Sequence, residues 1–234
     1  MIREIFSSIM GEGKYIGRRF IFVRFPYCEL NCVYCDEKKE YLNMVEKEPG
    51  SGVLERKEIK KIDDIVKEVE RLKTPDLFAV SFTGGEPLLF NKLDELNEKL
   101  KKGGFKTFLE SSGAYPDKLV FTDIASIDVK LKGHIKNYDE IYKRELESIS
   151  ILYNNKVDVY AKVVILKDNE IEEIERVAKD LSNIGDITLC LQPVTPYKDI
   201  KPPSMRKIFK MMEAAGKYVD VLTTIQMHKL LKIL

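Results

Sequence analysis

The sequence predicts an α/β fold in which parallel strands, each followed by a helix, curl into a partial barrel. Three observations predict it. Short β-branched and aromatic runs alternate with segments whose apolar residues recur at helical spacing. Polar and glycine-bearing stretches sit where the strand runs end, which is where parallel α/β folds gather their reactive groups. No repeat, low-complexity tract or composition shift divides the 234 residues, 44% of them apolar, so a single domain over 1–234 with a substantial core is expected.

The elements follow in order. "RRFIFVRF" (18–25) reads as a strand and runs straight into "PYCELNCVYCDE". The next segment, "EKKEYLNMVEKEPGSGVLERKE", is polar and carries a Pro-Gly-Ser-Gly turn; it reads as an insertion at about 37–57 near the mouth of a site. Ile59, Ile62, Ile65, Val66, Val69 and Leu72 trace one face of a helix. "LFAVSF" (77–82) is a short strand, followed by "TGGEP" and a second helix through Leu93, Leu96 and Leu100. Strands are then expected at 105–110, 124–131, 157–166, 186–193 and 218–224, with helices near 137–153, 169–183 and 204–215 between them. Units of this length imply a parallel sheet with both faces covered.

Bulk charge narrows the function. Lys plus Arg number 39 and Asp plus Glu 38, a net charge of +1, which lacks the basic excess of a nucleic-acid binder. No apolar run approaches a membrane span, and "MIREIFSSIMGEG" lacks the pattern of a signal peptide, so a cytoplasmic protein is expected. Four cysteines, three of them clustered, point to a reducing compartment and to metal rather than to disulfides.

Cys28, Cys32 and Cys35 pose the chemical question. A disulfide uses two thiols, and a closed zinc site usually uses four ligands. Three thiolates spaced CxxxCxxC suit a [4Fe-4S] cluster with one iron left open, or a structural zinc loop completed by a remote ligand such as His134 or Cys190. An amino-acid group would chelate an open iron. In "TGGEP", Gly84 and Gly85 remove the Cβ atoms that would keep backbone away from such a group, and Glu86 would receive its ammonium. Those requirements describe S-adenosylmethionine.

CxxxCxxC after one strand and "GGEP" after the next resemble the radical S-adenosylmethionine (radical SAM) superfamily. The resemblance implies a partial TIM-like (β/α) barrel, and an electron passed through the cluster to cleave the sulfonium into methionine and a 5′-deoxyadenosyl radical. Within that superfamily, "EIFSSIMGEGKYIGRRFIFVRFPYCELNCVYCD", "VSFTGGEPLL", "FLESSG", "DVKL", "LQPVTP" and "QMHKLL" are similar to the 7-carboxy-7-deazaguanine synthases. This resemblance implies ring contraction of 6-carboxy-5,6,7,8-tetrahydropterin with loss of ammonia, in a route to deazapurine nucleosides of transfer RNA. It also implies a homodimer and an external electron donor.

Carried over by position, the resemblance assigns roles. Tyr34 and Asp36 in the cysteine loop, with Gly84, Gly85, Glu86, Glu110, Asp128, Lys130 and Gln192, would surround S-adenosylmethionine. Ile9, Met10, Gly11, Glu12, Thr83 and His228 would line the pterin, and Arg24 would pair with its carboxylate in two-point geometry. Two positions depart from the family pattern. A Ser or Thr that helps hold Mg2+ is replaced by Glu37, itself a hard oxygen donor, and a Gln before the GEG turn is replaced by Met10. The competing readings are a glycyl-radical activase acting on a protein glycine and a zinc-stabilised binding module.

Overall fold

The computed structural model describes residues 1–35, 40–196 and 198–233. In chain order the strands are β1 (Glu4–Ile9), β2 (Arg19–Phe25), β3 (Met44–Glu46), β4 (Leu54–Arg56), β5 (Leu77–Gly84), β6 (Thr107–Ser111), β7 (Ile124–Asp128), β8 (Asp158–Ile165), β9 (Leu189–Pro193) and β10 (Val221–Thr223). The helices are α1 (Ile62–Arg71), α2 (Leu93–Lys102), α3 (Tyr138–Asn154), α4 (Ile171–Ser182), α5 (Met205–Ala215) and α6 (Met227–Leu231). One sheet holds all ten strands in the order β10-β9-β8-β7-β6-β5-β2-β1-β3-β4.

The expected strand–helix series is present, and β2 with β5 to β10 runs parallel. Two expectations are corrected. The described part of the 37–57 insertion is a hairpin, β3 and β4, which lengthens the sheet beyond β1; Asp36 to Lys39 lie outside the described residues. The sheet is therefore mixed, with β1 antiparallel to β2. Nor do helices cover both faces. The buried residues of α1 to α5 pack on one face, against Ile21, Val23, Val80, Phe82, Leu109, Ile127, Val163 and Leu191.

Period-two alternation turns the other residues of those strands inward. Along the strands the inner face changes character: Phe20, Phe22, Arg24 on β2; Phe108, Glu110 on β6; Ile124, Ser126, Asp128 on β7; Tyr160, Lys162, Val164 on β8; Cys190, Gln192 on β9. Apolar side chains fill the amino-terminal end, and polar ones stand at the carboxyl ends. Phe20 meets Phe108 edge-on at 5.3 Å, and Tyr15 stacks on Phe78 at 5.2 Å, so aromatic rings form the floor of the half-barrel.

The β1–β2 turn closes the concave face. It crosses to the far side of the sheet, where Lys14 pairs with Asp158 at 2.9 Å and Tyr15 hydrogen-bonds the same carboxylate. The Gly13 amide donates to Thr224 Oγ1 at 3.1 Å, and the Met227 amide donates to the Gly11 carbonyl at 2.8 Å. One end of the chain thus meets the other across the opening that an incomplete barrel leaves.

Candidate active site

A cavity of about 490 Å³ opens at the carboxyl ends of the strands, within the range of small-molecule sites. Cys28, Cys32, Tyr34 and Cys35 line it, with Gly84, Gly85, Glu110, Asp128, Lys130 and Gln192 from the strand ends. Ile9, Met10, Gly11, Glu12, Arg24, Thr83 and His228 line it too. Of the residues predicted from sequence, Glu86 does not line the cavity, and Asp36 and Glu37 fall outside the described residues. The Met10 side chain is buried among the aromatic residues of the floor.

Beside lining the cavity, the glycines serve a packing role. Gly84 has φ +101°, and a Cβ there would run into Arg24 and the Phe25 backbone; a Cβ on Gly85 would strike the Tyr27 backbone. Their missing side chains let two loops touch. The Gly85 amide donates to the Phe25 carbonyl at 2.6 Å and the Glu86 amide to the Tyr27 carbonyl at 2.7 Å, so the "GGEP" loop holds the approach to the cysteines. Glu86, expected to receive an ammonium, meets protein donors here. Its carboxylate is buried and accepts from Ser111 Oγ at 2.7 Å, Ser112 N at 2.9 Å, Ser112 Oγ at 2.5 Å and Leu88 N at 3.2 Å. Four donors occupy its lone pairs, and Glu86 ties the end of β5 to that of β6.

Sequence reasoning missed the charge at the centre. Lys162, 5% exposed, pairs with Glu12 at 2.6 Å, Asp128 at 3.3 Å and Glu110 at 3.5 Å. Lys130 pairs with Asp128 at 3.2 Å. Burial works against both ammonium groups, but the surrounding carboxylates outweigh it and hold both lysines well above their usual pKa. Burial pushes Glu110 up, tempered by Lys162. The same penalty on Asp128 is overcome by Lys130 and Lys162, which leave it below its ordinary value. The signal in the sequence was a lone lysine inside the apolar strand "VDVYAKVVIL".

Arg24 ion-pairs with Glu4, its partner across the β1–β2 register, and its guanidinium lies 4.9 Å from the Phe6 ring centroid. His228 sits against Gly11 at the turn. His134 is not placed as a zinc ligand: Nδ1 accepts from the Leu131 amide at 3.1 Å, and Nε2 lies 3.0 Å from Asn169 Oδ1. Its carbonyl accepts from Val33 N at 3.0 Å and its ring stands edge-on to Tyr34, bracing the cysteine loop. Cys190 is buried, 3.3 Å from Thr224 Oγ1.

The profile of the radical SAM superfamily matches residues 22–181. A 7-carboxy-7-deazaguanine synthase of Methanocaldococcus jannaschii is 59% identical over the whole of both chains. The chain belongs to the 7-carboxy-7-deazaguanine synthase family of radical SAM enzymes. A further 7-carboxy-7-deazaguanine synthase, from Methanothermobacter thermautotrophicus, is 34% identical over 98% of this chain and 96% of its own. The crystal structure of QueE from Escherichia coli shares the fold with a TM-score of 0.63, at 20% identity, over 97% of this chain and 93% of that one.

Radical SAM membership implies a [4Fe-4S] cluster and S-adenosylmethionine, and the donor set fits both. Three thiols with no disulfide partner stand at the cavity. Beside them, Gln192 Oε1 and Glu12 Oε2 are buried without a hydrogen-bond partner among the described residues and line the cavity, as polar groups awaiting a ligand do.

Proposed function

We propose that this enzyme converts 6-carboxy-5,6,7,8-tetrahydropterin to 7-carboxy-7-deazaguanine with loss of ammonia, on the route to deazapurine nucleosides of transfer RNA. The observation that carries the reading is full-length similarity to synthases of that name, reaching 59% identity over the whole of both chains. Cys28, Cys32 and Cys35 would hold the cluster, which would supply the electron that cleaves bound S-adenosylmethionine to the radical that starts the reaction. Lys130, Asp128, Glu110 and Gln192 orient the cofactor, with the Gly84–Gly85 backbone and Tyr34 beside them. The Ile9–Gly11 backbone, Glu12, Thr83 and His228 hold the pterin, and Arg24 takes its carboxylate.

The turn and α6 wall the cavity toward the far strands, which favours a small substrate over a protein glycine. Mg2+ held with the help of Glu37, an external electron donor, a homodimer and a cytoplasmic setting belong to the same proposal. No helix among the described residues is long and apolar enough to cross a membrane.

The test is turnover by anaerobically reconstituted enzyme with reductant, S-adenosylmethionine and the carboxypterin, followed by mass. The deazaguanine product is expected together with 5′-deoxyadenosine. Formation of 5′-deoxyadenosine without that product would refute the substrate assignment.

A further inference from the structure

We infer that Lys162 is a positioning residue that ties the substrate wall to the cofactor wall and aims Glu12 at the bound pterin. The inference rests on the substrate reading above and goes beyond it, because it concerns what couples the two halves of the site.

Lys162 points inward from β8, in register with Asp128 on β7 and Cys190 on β9. Its ammonium has three donors, and three carboxylates surround it from three separate elements: Glu12 of the β1–β2 turn, Glu110 of β6 and Asp128 of β7. A buried ammonium is costly unless its donors are all engaged, so these three groups hold Lys162 as firmly as it holds them. Under the proposed function, Glu12 belongs to the pterin side and Glu110 and Asp128 to the ribose side.

The two oxygens of Glu12 differ. Oε1 takes the 2.6 Å bond from Lys162, and Oε2 is buried with no hydrogen-bond partner among the described residues. Fixing one oxygen fixes the rotamer and presents the other to the cavity, where N–H donors of a pterin ring would find it. Burial works against the Glu12 carboxylate, but Lys162 outweighs this and keeps it ionised as an acceptor. Without Lys162, three carboxylates would crowd one buried space, Glu12 would lose its aim, and substrate would sit out of register with the cofactor.

The experiment compares wild type, Lys162→Met, Glu12→Gln and the double variant as reconstituted holoenzymes, with iron content and melting temperature as controls on folding. The readouts are KM for the carboxypterin, Kd for S-adenosylmethionine and the ratio of 5′-deoxyadenosine to product. For Lys162→Met we expect KM to rise about tenfold or more, as for loss of one charge-assisted hydrogen bond. Its ratio should climb from near one to about five. If Lys162 acts through Glu12, the double variant is no worse than either single one. A Lys162→Met enzyme that keeps wild-type KM and ratio overturns the inference, as do additive losses in the double variant.

Should Lys162→Met fail to take up the cluster, the double variant, which removes one of the crowded carboxylates, decides: a tightly coupled double variant sinks the idea. A wild type that makes no deazaguanine would instead sink the substrate reading.

Discussion

The proposed function gives the substrate carboxylate to Arg24. Arg24 is the last inward-facing residue of β2, and Glu4 and the Phe6 ring hold its side chain. A guanidinium presents two parallel N–H groups to a carboxylate, whereas an ammonium offers a point charge. Arg24→Lys should therefore keep the charge and lose the fit, raising KM for the carboxypterin about tenfold or more while 5′-deoxyadenosine still forms. Steady-state kinetics with both products quantified checks this, and an unchanged KM would remove Arg24 from the substrate wall. Arg24, Asp128 and Gln192 were legible because a polar residue closing a β-branched run points to a strand end. Lys162 was not, since its partners Glu110 and Glu12 lie 52 and 150 residues away. The Glu86 contacts were hidden for the same reason: its donors Ser111 and Ser112 belong to the neighbouring strand end, 25 and 26 residues on.

At the scale of elements, α3 against β7 holds a titratable group. Glu145 of α3 is buried and accepts the Lys130 amide at 2.9 Å, and burial, partly offset by Lys130, pushes its pKa up to about 8. In the unfolded chain the carboxyl returns to the ordinary glutamate range. Between those values the folded protein keeps a proton that the unfolded chain has lost. This group's contribution to stability is full below the unfolded pKa and is lost as pH rises toward 8. Glu145→Gln keeps an acceptor for the Lys130 amide and never ionises. Its melting temperature should exceed wild type more at pH 8 than at pH 5, by about 4 °C for a chain of this size. Calorimetry at the two pH values checks this, and an equal difference at both would mean Glu145 is not proton-linked. Regular elements were readable wherever apolar periodicity persisted, as in Ile62, Ile65 and Val69 of α1. The β3–β4 hairpin was not, because strands of three residues, "MVE" and "LER", carry too few side chains to show a period.

For the molecule as a whole, the half-barrel is closed by chain crossing rather than by further strands. Gly11 is the point of contact: its carbonyl accepts the Met227 amide, and a Cβ there would run into the His228 ring. The terminal helix and the turn therefore depend on each other, and both line the cavity. In Gly11→Ala the new methyl would push His228 aside without touching the cysteine loop or the "GGEP" loop. The expected outcome is a KM for the carboxypterin raised about tenfold, with cofactor cleavage in the absence of substrate unchanged. Removing the obstructing ring separates displacement from general damage: Gly11→Ala combined with His228→Ala should be no worse than His228→Ala alone. Additive losses in that pair would mean that the methyl harms the turn itself, and that the closure does not act through His228.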